Sequence, residues 1–561
     1  QLPVTLKDKW DAWRYLAMLG NPRTHVRNLT GNAIFVPVRF VKDMLAAAGE
    51  QFIDPSERTK SVGAKLHSAK YADVREYAEQ DFKNMEPYIT TGGKMNPLNE
   101  IMEARTIFKT PIIGQAAETL RKLNDFLLNK EDIIFLRGAY IDAFTQFVAA
   151  RGLTAEQLTG PDGGATLNEA RQYAALEAQK ATYRDFSRLA TALNGLRKVP
   201  VLGMFLDGLL PFTKTPINIL KRGVEYSPVG LAHGVYDALF KVKRGDISAA
   251  QAIDEMASGL TGTGVAILGY ILASMGLARG ADDDDKKKQE LEEAQGHQSY
   301  SLEIGDNSYT IDWAAPVALP FFVGVEAHKQ MAGDGGGSFW DFCNAMTLLM
   351  EPMMSLSMLD GINSTLAAVK SDQNSPIWAV LSNVMASYVS QGAPTIGGQF
   401  ARTFDPDRRS TYVDKNIEGP ALLQRTLQGI QGKVPRLAKE KMAYVDVWGR
   451  KDTSSSALWR AFENFASPGY GNKIKETPVD TELMRLYDAT GDNSVLPSTV
   501  AKYFQVEGER LDLTAKQYEK YKTTTGQTAF KLIGELIDDP VYGAMDDAQK
   551  AETVKQLLDA A

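Results

Sequence analysis

From residue 260 to residue 277 the chain runs for 18 positions without a single charged side chain. Nothing else in the sequence constrains the fold as tightly, because an uncharged helix of that length must cover itself with protein or with lipid. It falls just short of the ~20 residues that cross a bilayer. Gly262, Gly264, Gly269 and Gly276 weaken a helix in water, whereas Gly262 with Ala266 and Gly269 with Ala273 have the small-xxx-small spacing that lets two helices approach closely. Gly262, Ala266, Gly269 and Ala273 are therefore the candidate membrane or helix-packing residues. The short length and the glycines favour a buried central helix, with lipid contact as the alternative. Lys241, Lys243 and Arg244 precede the run and would mark the cytoplasmic side of a spanning segment, a bias blurred by Arg279 and Lys286 to Lys288 beyond it. Two other apolar stretches do not span: 313–325 contains Pro316 and Pro320, and 346–359 is broken by Glu351 and Pro352. The stripe Met346, Met350, Met353, Met354 and Met358 in the latter suits an adaptable contact surface, though ordinary core packing explains it better.

Helical periodicity dominates elsewhere. Trp10, Trp13 and Leu16, then Leu29, Ile34, Val38, Val41 and Leu45, lie on either side of Gly20-Asn21-Pro22, which predicts a helix, a turn and a second helix kinked or restarted at Pro37. Residues 51–93 are more polar and read as helical and solvent-facing. Ile113, Leu120, Leu127, Ile134 and Phe144 mark one or two long amphipathic helices up to Arg151. Thr154-Ala155-Glu156-Gln157 has the capping-box form, and a loop at 160–164 precedes a helix over about 167–196. From about Pro478 the chain returns to helices with short polar links, and Thr514 to Gln517 and Asp546 to Gln549 read as helix starts. The alternation around Gly305-Asp306-Asn307 predicts a β-hairpin. The expected fold is mainly α, a multi-helix bundle assembly with one small β-hairpin near residues 300–313. Four consecutive domains are expected: 1–160, an N-terminal helical domain; 161–299, a central region with the apolar helix; 300–450, hairpin plus apolar helices; and 451–561, a C-terminal helical domain.

Composition excludes several functions. The chain of 561 residues carries 62 Lys and Arg against 69 Asp and Glu, a net charge of −7, so its bulk field repels a phosphate backbone and direct nucleic-acid binding is expected to be weak or absent. One cysteine, Cys343, cannot form an internal disulfide or a cysteine-rich zinc site, and it has no basic neighbour in sequence to activate it. No two of the five histidines are close enough in sequence to suggest a ligand pair, and phosphate loops, nucleophile elbows and zinc-protease helices are absent from the sequence. The expectation is therefore no catalytic residue, no cofactor and no metal. Asp282 to Lys288, acids followed by lysines, reads as a solvated, mobile charge run. Arg14, Arg23, His25 and Arg27 are placed to touch phosphate or anionic lipid headgroups, and helix capping and surface pairing explain them equally well. Arg402, Arg408 and Arg409 around Asp405 and Asp407 suggest internal salt bridges. Gln1 reads as a cut, from processing or excision.

Several strings carry a resemblance: 16–28 (LAMLGNPRTHVRN), 211–218 (PFTKTPIN), Tyr226-Ser227-Pro228, and less specifically 394–402, 405–412, Val445 to Gly449 and Glu482 to Tyr487. Together they resemble the large polyvalent protein-associated helical domains of phages and integrative elements. The strings are turn and helix-stop elements, so they point to a fold more than to a function. The resemblance implies an internal virion or ejection-type protein, non-catalytic, that assists DNA transfer through the host envelope. It further implies residence in the virion interior, then host membrane or cytoplasm after delivery, with other virion proteins or further copies of itself (a homo-oligomer) and the host membrane as partners. The alternative is a soluble structural module of a large polyprotein lining the capsid or tail.

Overall fold

The computed structural model describes residues 20–91, 111–160, 163–186, 214–283, 285–334, 394–417, 421–453 and 456–561, together with Trp13. The Met346 to Met358 stripe, Cys343, Arg14 and the far end of the helix expected over 167–196 lie outside them. The chain is mainly α-helical with short antiparallel strands. In order, the principal elements are α1 (Pro22–Gly49), α2 (Ala72–Thr91), α3 (Pro111–Ala150), α4 (Gly164–Ala181), α5 (Lys214–Glu225), α6 (Pro228–Tyr236), α7 (Ala249–Ser274) and α8 (Lys286–Gln295). They continue with β1 (Ser301–Ile304), β2 (Asn307–Thr310), α9 (Ala318–Asp334), α10 (Thr395–Phe404), α11 (Ala421–Gln431), α12 (Ala457–Phe465), β3 (Gly471–Lys473), α13 (Pro478–Thr490), β4 (Tyr503–Val506), β5 (Glu509–Asp512), α14 (Ala515–Ile537) and α15 (Asp547–Ala560).

Two compact units replace the four consecutive domains expected. The first comprises residues 1–16, 24–278 and 312–370, the second 17–23, 279–311 and 371–561. The regrouping has a physical cause: α9, distant in sequence, packs on α7, so the hairpin that separates them in the chain does not close the first unit.

In the first unit, Pro37 does not interrupt α1. The carbonyl of Ala33, which loses its amide donor, lies on an exposed stretch where water can satisfy it. The stretch read as solvent-facing behaves differently: α2 buries Val74, Ala78, Phe82 and Ile89, a sparse set that nonetheless falls on one stripe. They pack with Leu136, Tyr140, Phe144 and Phe147 of α3 and with Ala170, Ala174 and Ala178 of α4. The alanines recur every four residues and let α3 and α4 approach closely, and α3 is one continuous helix. Tyr140 donates its hydroxyl to Asp81 at 2.7 Å, and Arg171 holds the same carboxylate. The capping box at Thr154 forms with Gln157.

The second unit is built round Trp448. This tryptophan shares one buried cluster with Leu291, Leu483, Leu486, Val495, Ile533 and Val554, and its ring meets that of Phe530 edge-on. The expected hairpin is present: β1 pairs with β2 in antiparallel register, Ser301 opposite Thr310, and Gly305 at φ +59° makes the turn. β3 then pairs with β2. A second hairpin, β4–β5, interrupts what was read as a wholly helical C-terminal stretch, and its turn residues Glu507 and Gly508 both have positive φ. The described residues of the charge run, 282–283 and 285–288, lead into a helix instead of standing free. Asp285 accepts the amide of Lys287 as the cap of α8, and Lys288 pairs with Asp283 at 3.0 Å. Thr514 and Asp546 cap α14 and α15 as capping boxes. Trp448 Nε1 donates to the buried Asp480 Oδ1 at 2.8 Å, while the other oxygen of Asp480 accepts from Thr477 at the head of α13. Trp448→Phe strands that carboxylate oxygen and leaves part of the indole volume unfilled, and should cost at least about 1–3 kcal/mol in urea unfolding of the full chain.

Candidate functional site

Helix α7 contains most of the uncharged run, and it has two unlike faces. On one face the small residues pack without spare room. A Cβ on Gly262 would lie 2.1 Å from the Tyr226 carbonyl oxygen, and one on Gly269 would lie 2.0 Å from the Phe321 carbonyl oxygen. Ala266 is fully buried, and its own carbonyl oxygen would be 1.7 Å from a Cβ on Gly324 of α9. Gly259 presses on the backbone of Leu231 in the same way. Gly262, Ala266 and Gly269 are therefore helix-packing residues that hold α7 between the α5–α6 junction and α9; Ala273, near the end, is only half-buried.

The other face carries Leu260, Ile267, Leu268, Ile271 and Met275, all exposed, with Gly264 open among them. A buried central helix was expected, and burial stops at one face. A helix of a water-soluble unit places polar side chains on its outer stripe; this one places large aliphatics there. Helix α3 differs: its apolar stretch Ile133–Ala150 is also long and poor in charge but is mostly buried, whereas Ala249–Ser274 is mostly not. Upstream of α7, a π-helical turn, Asp237–Lys241, follows α6. It exposes Leu239 and Phe240 next to Tyr236, whose ring lies 4.8 Å from that of Phe240, and Lys243 and Arg244 follow in solvent.

Beneath α7 lies a buried ion network that no local sequence pattern announces. Lys42 Nζ of α1 lies 2.9 Å from Asp43 and 2.6 Å from Asp254 of α7. Lys60 Nζ, itself 1% exposed, lies 2.8 Å from Asp43 and 3.3 Å from Glu177 of α4. Lys65 reaches Asp43 at 2.7 Å and Asp142 of α3, and Lys180 pairs with Glu177 at 2.9 Å. Glu50 fixes the strand of chain that delivers Lys60, accepting from the amides of Thr59 and Lys60 at 2.6 and 2.7 Å. Burial by itself would push the Asp43 carboxyl up, yet Lys42, Lys60 and Lys65 outweigh it and hold it well below the ordinary carboxylate range. The network joins α1, α3, α4 and α7, so it positions α7 by charge as the glycines position it by shape.

Several other sequence candidates among the described residues are structural. Arg23 is buried, stacks 3.4 Å over the ring of Tyr470 and donates to the Gly469 carbonyl, so it is not displayed for phosphate. Arg409 pairs with Asp405 and Asp407 as an internal bridge, while Arg408 goes to Glu293 instead. Asn218 donates to the carbonyls of Tyr183 and Asp185. Ser227-Pro228 ends α5 and begins α6, with Ser227 Oγ accepting the Gly230 amide. In Val445 to Gly449, the Asp446 carboxylate accepts the Trp448 amide at 3.0 Å and Gly449 takes φ +71° against Thr523. These strings are turns and caps. Compared with known protein families, characterised proteins and solved structures, the chain finds no match in any of the three.

Proposed function

We propose that this chain is a non-catalytic internal virion or ejection-type protein of a phage or mobile element, and that it acts on the host envelope through α7. The observation that carries the reading is the two-faced α7: small residues locked against protein, large aliphatics facing outward. The occupant of the outer face is a lipid bilayer, argued from what adjoins it. Tyr236 and Phe240 with Lys241, Lys243 and Arg244 form an aromatic and basic flank at one end, the composition that settles at a headgroup layer above anionic lipid. An overall charge of −7 makes nucleic acid a poor partner for the chain as a whole, so the help given to DNA is passage and not packaging contact. The strings that resemble polyvalent-protein helical domains support the same setting.

Flotation tests it. The purified full chain should rise with vesicles of phosphatidylethanolamine and phosphatidylglycerol and release their contents. An Ile267→Glu, Ile271→Glu variant, altered only at exposed positions, should keep its unfolding midpoint and stay at the bottom of the gradient. If the parent chain neither floats nor leaks vesicles and instead forms a stable oligomer without detergent, the outer face is a protein interface and the soluble capsid- or tail-lining module replaces this reading.

A further inference from the structure

A cluster beside the start of α7 has chemistry that the lipid reading does not use. His233 and Asp237 are four apart, and so share one face where α6 runs into the π-helical turn. Glu255 of α7 meets them because the two helices touch: a Cβ on Gly234 would lie 2.8 Å from the Met256 amide nitrogen, and one on Gly259 would lie 2.2 Å from that of Leu231. As a result one nitrogen or oxygen atom from each of His233, Asp237 and Glu255 lies within 4.8 Å of the others.

Asp237 is 1% exposed. Its Oδ2 accepts from Lys241 Nζ at 2.8 Å and stands 3.6 Å from His233 Nδ1, while its Oδ1 is buried with no hydrogen-bond donor. Glu255 has the same asymmetry, with one oxygen accepting from Gln251 at 3.2 Å and Oε2 buried without a donor. With His233 neutral, two carboxylates and one ammonium leave one negative charge uncompensated, and the two orphaned oxygens are buried. A cation, a proton shared between the two carboxylates, or an imidazolium at His233 would neutralise them. The largely exposed His233 opens the cluster to solvent and adds a nitrogen donor, which a cation uses and a carboxylate-to-carboxylate proton does not.

We propose that His233, Asp237 and Glu255 bind a divalent transition-metal ion of the zinc or manganese class. One imidazole nitrogen with two carboxylate oxygens suits those ions better than calcium or magnesium, which favour all-oxygen shells. Water completes the coordination. The ion clips α6 and its π-helical turn to α7, and so fixes the base of the lipid-facing helix.

The test uses the full chain stripped with chelator, then titrated with Zn²⁺ by calorimetry and checked by elemental analysis after gel filtration. One ion per chain is expected, together with a rise in Tm that the chelator reverses. His233→Ala, at a solvent-facing position that leaves folding intact, should weaken binding at least about tenfold and abolish the Tm rise, as should Glu255→Gln, whereas Cys343→Ser should change neither. Three outcomes overturn the assignment: no retained ion; Zn²⁺ binding that His233→Ala and Glu255→Gln leave unaltered; or Mg²⁺ and Ca²⁺ binding as tightly as Zn²⁺. A Glu255→Gln chain that gains stability while the parent binds no ion would show a shared proton in the ion's place.

Discussion

A Gly262→Val, Gly269→Val chain should lose the packing of α7 altogether, whereas Gly264→Ala on the same helix should gain about 0.5–1 kcal/mol. The difference lies in what each new Cβ meets. At 262 and 269 it meets main-chain oxygen at 2.1 and 2.0 Å, and a rotamer change cannot move a backbone; at 264 it meets nothing within 4 Å. Overpacking typically costs ~1–3 kcal/mol per site, and a main-chain obstacle places these two at or beyond the upper end. Urea unfolding of the full chain, followed by circular dichroism, should show an early transition for the double variant and a late one for Gly264→Ala. If the double variant unfolds with the parent's midpoint, α7 is not held by the contacts described. The pair also separates shape from lipid affinity, since Gly264→Ala lies on the outward face and should leave flotation intact.

Asp43→Asn should cost about 3–5 kcal/mol, because the buried Lys42 and Lys60 and the half-buried Lys65 lose the carboxylate they share. Replacing Asp43 and Lys60 together by Leu and Met should recover part of that loss, since a buried charge without a partner is worse than an apolar pair. Acid provides an independent readout. The folded carboxyl of Asp43 titrates well below its unfolded value, so the unfolded chain binds the extra proton on acidification. The contribution is complete above about pH 4 and is lost as the pH falls through the depressed folded value. The parent chain should therefore lose urea stability steeply below about pH 4, and Asp43→Asn should show a shallower slope there. Equal slopes in the two chains would mean that Asp43 does not anchor the network.

Much of the local structure was legible residue by residue. Thr154, Thr514 and Asp546 cap helices because a short side-chain oxygen three residues before Gln satisfies free amides, and that chemistry needs no tertiary context. Gly305 marks the first hairpin because glycine accepts positive φ without strain. The second hairpin went unread because its turn places Glu507, a residue type with no preference for that region, at φ +53°. The ligand cluster left a faint trace, His233 and Asp237 four apart on a helix, but Glu255 joins them only through the contact of α6 with α7. The ion network left none: Asp43, Lys60, Lys65, Asp142, Glu177 and Asp254 each look like an ordinary surface charge where they stand in the chain.

Order along the chain thus carries the helices, their caps, the first turn and the uncharged length of α7, since each depends on side chains within a few residues of one another. Which stripe of α7 meets protein and which is left outward depends on Tyr226, Phe321 and Gly324, and the partners of a buried charge depend on residues more than a hundred positions away. Such choices are made by close packing and by the cost of leaving charge unmatched away from water, and both act only once the helices have been brought together.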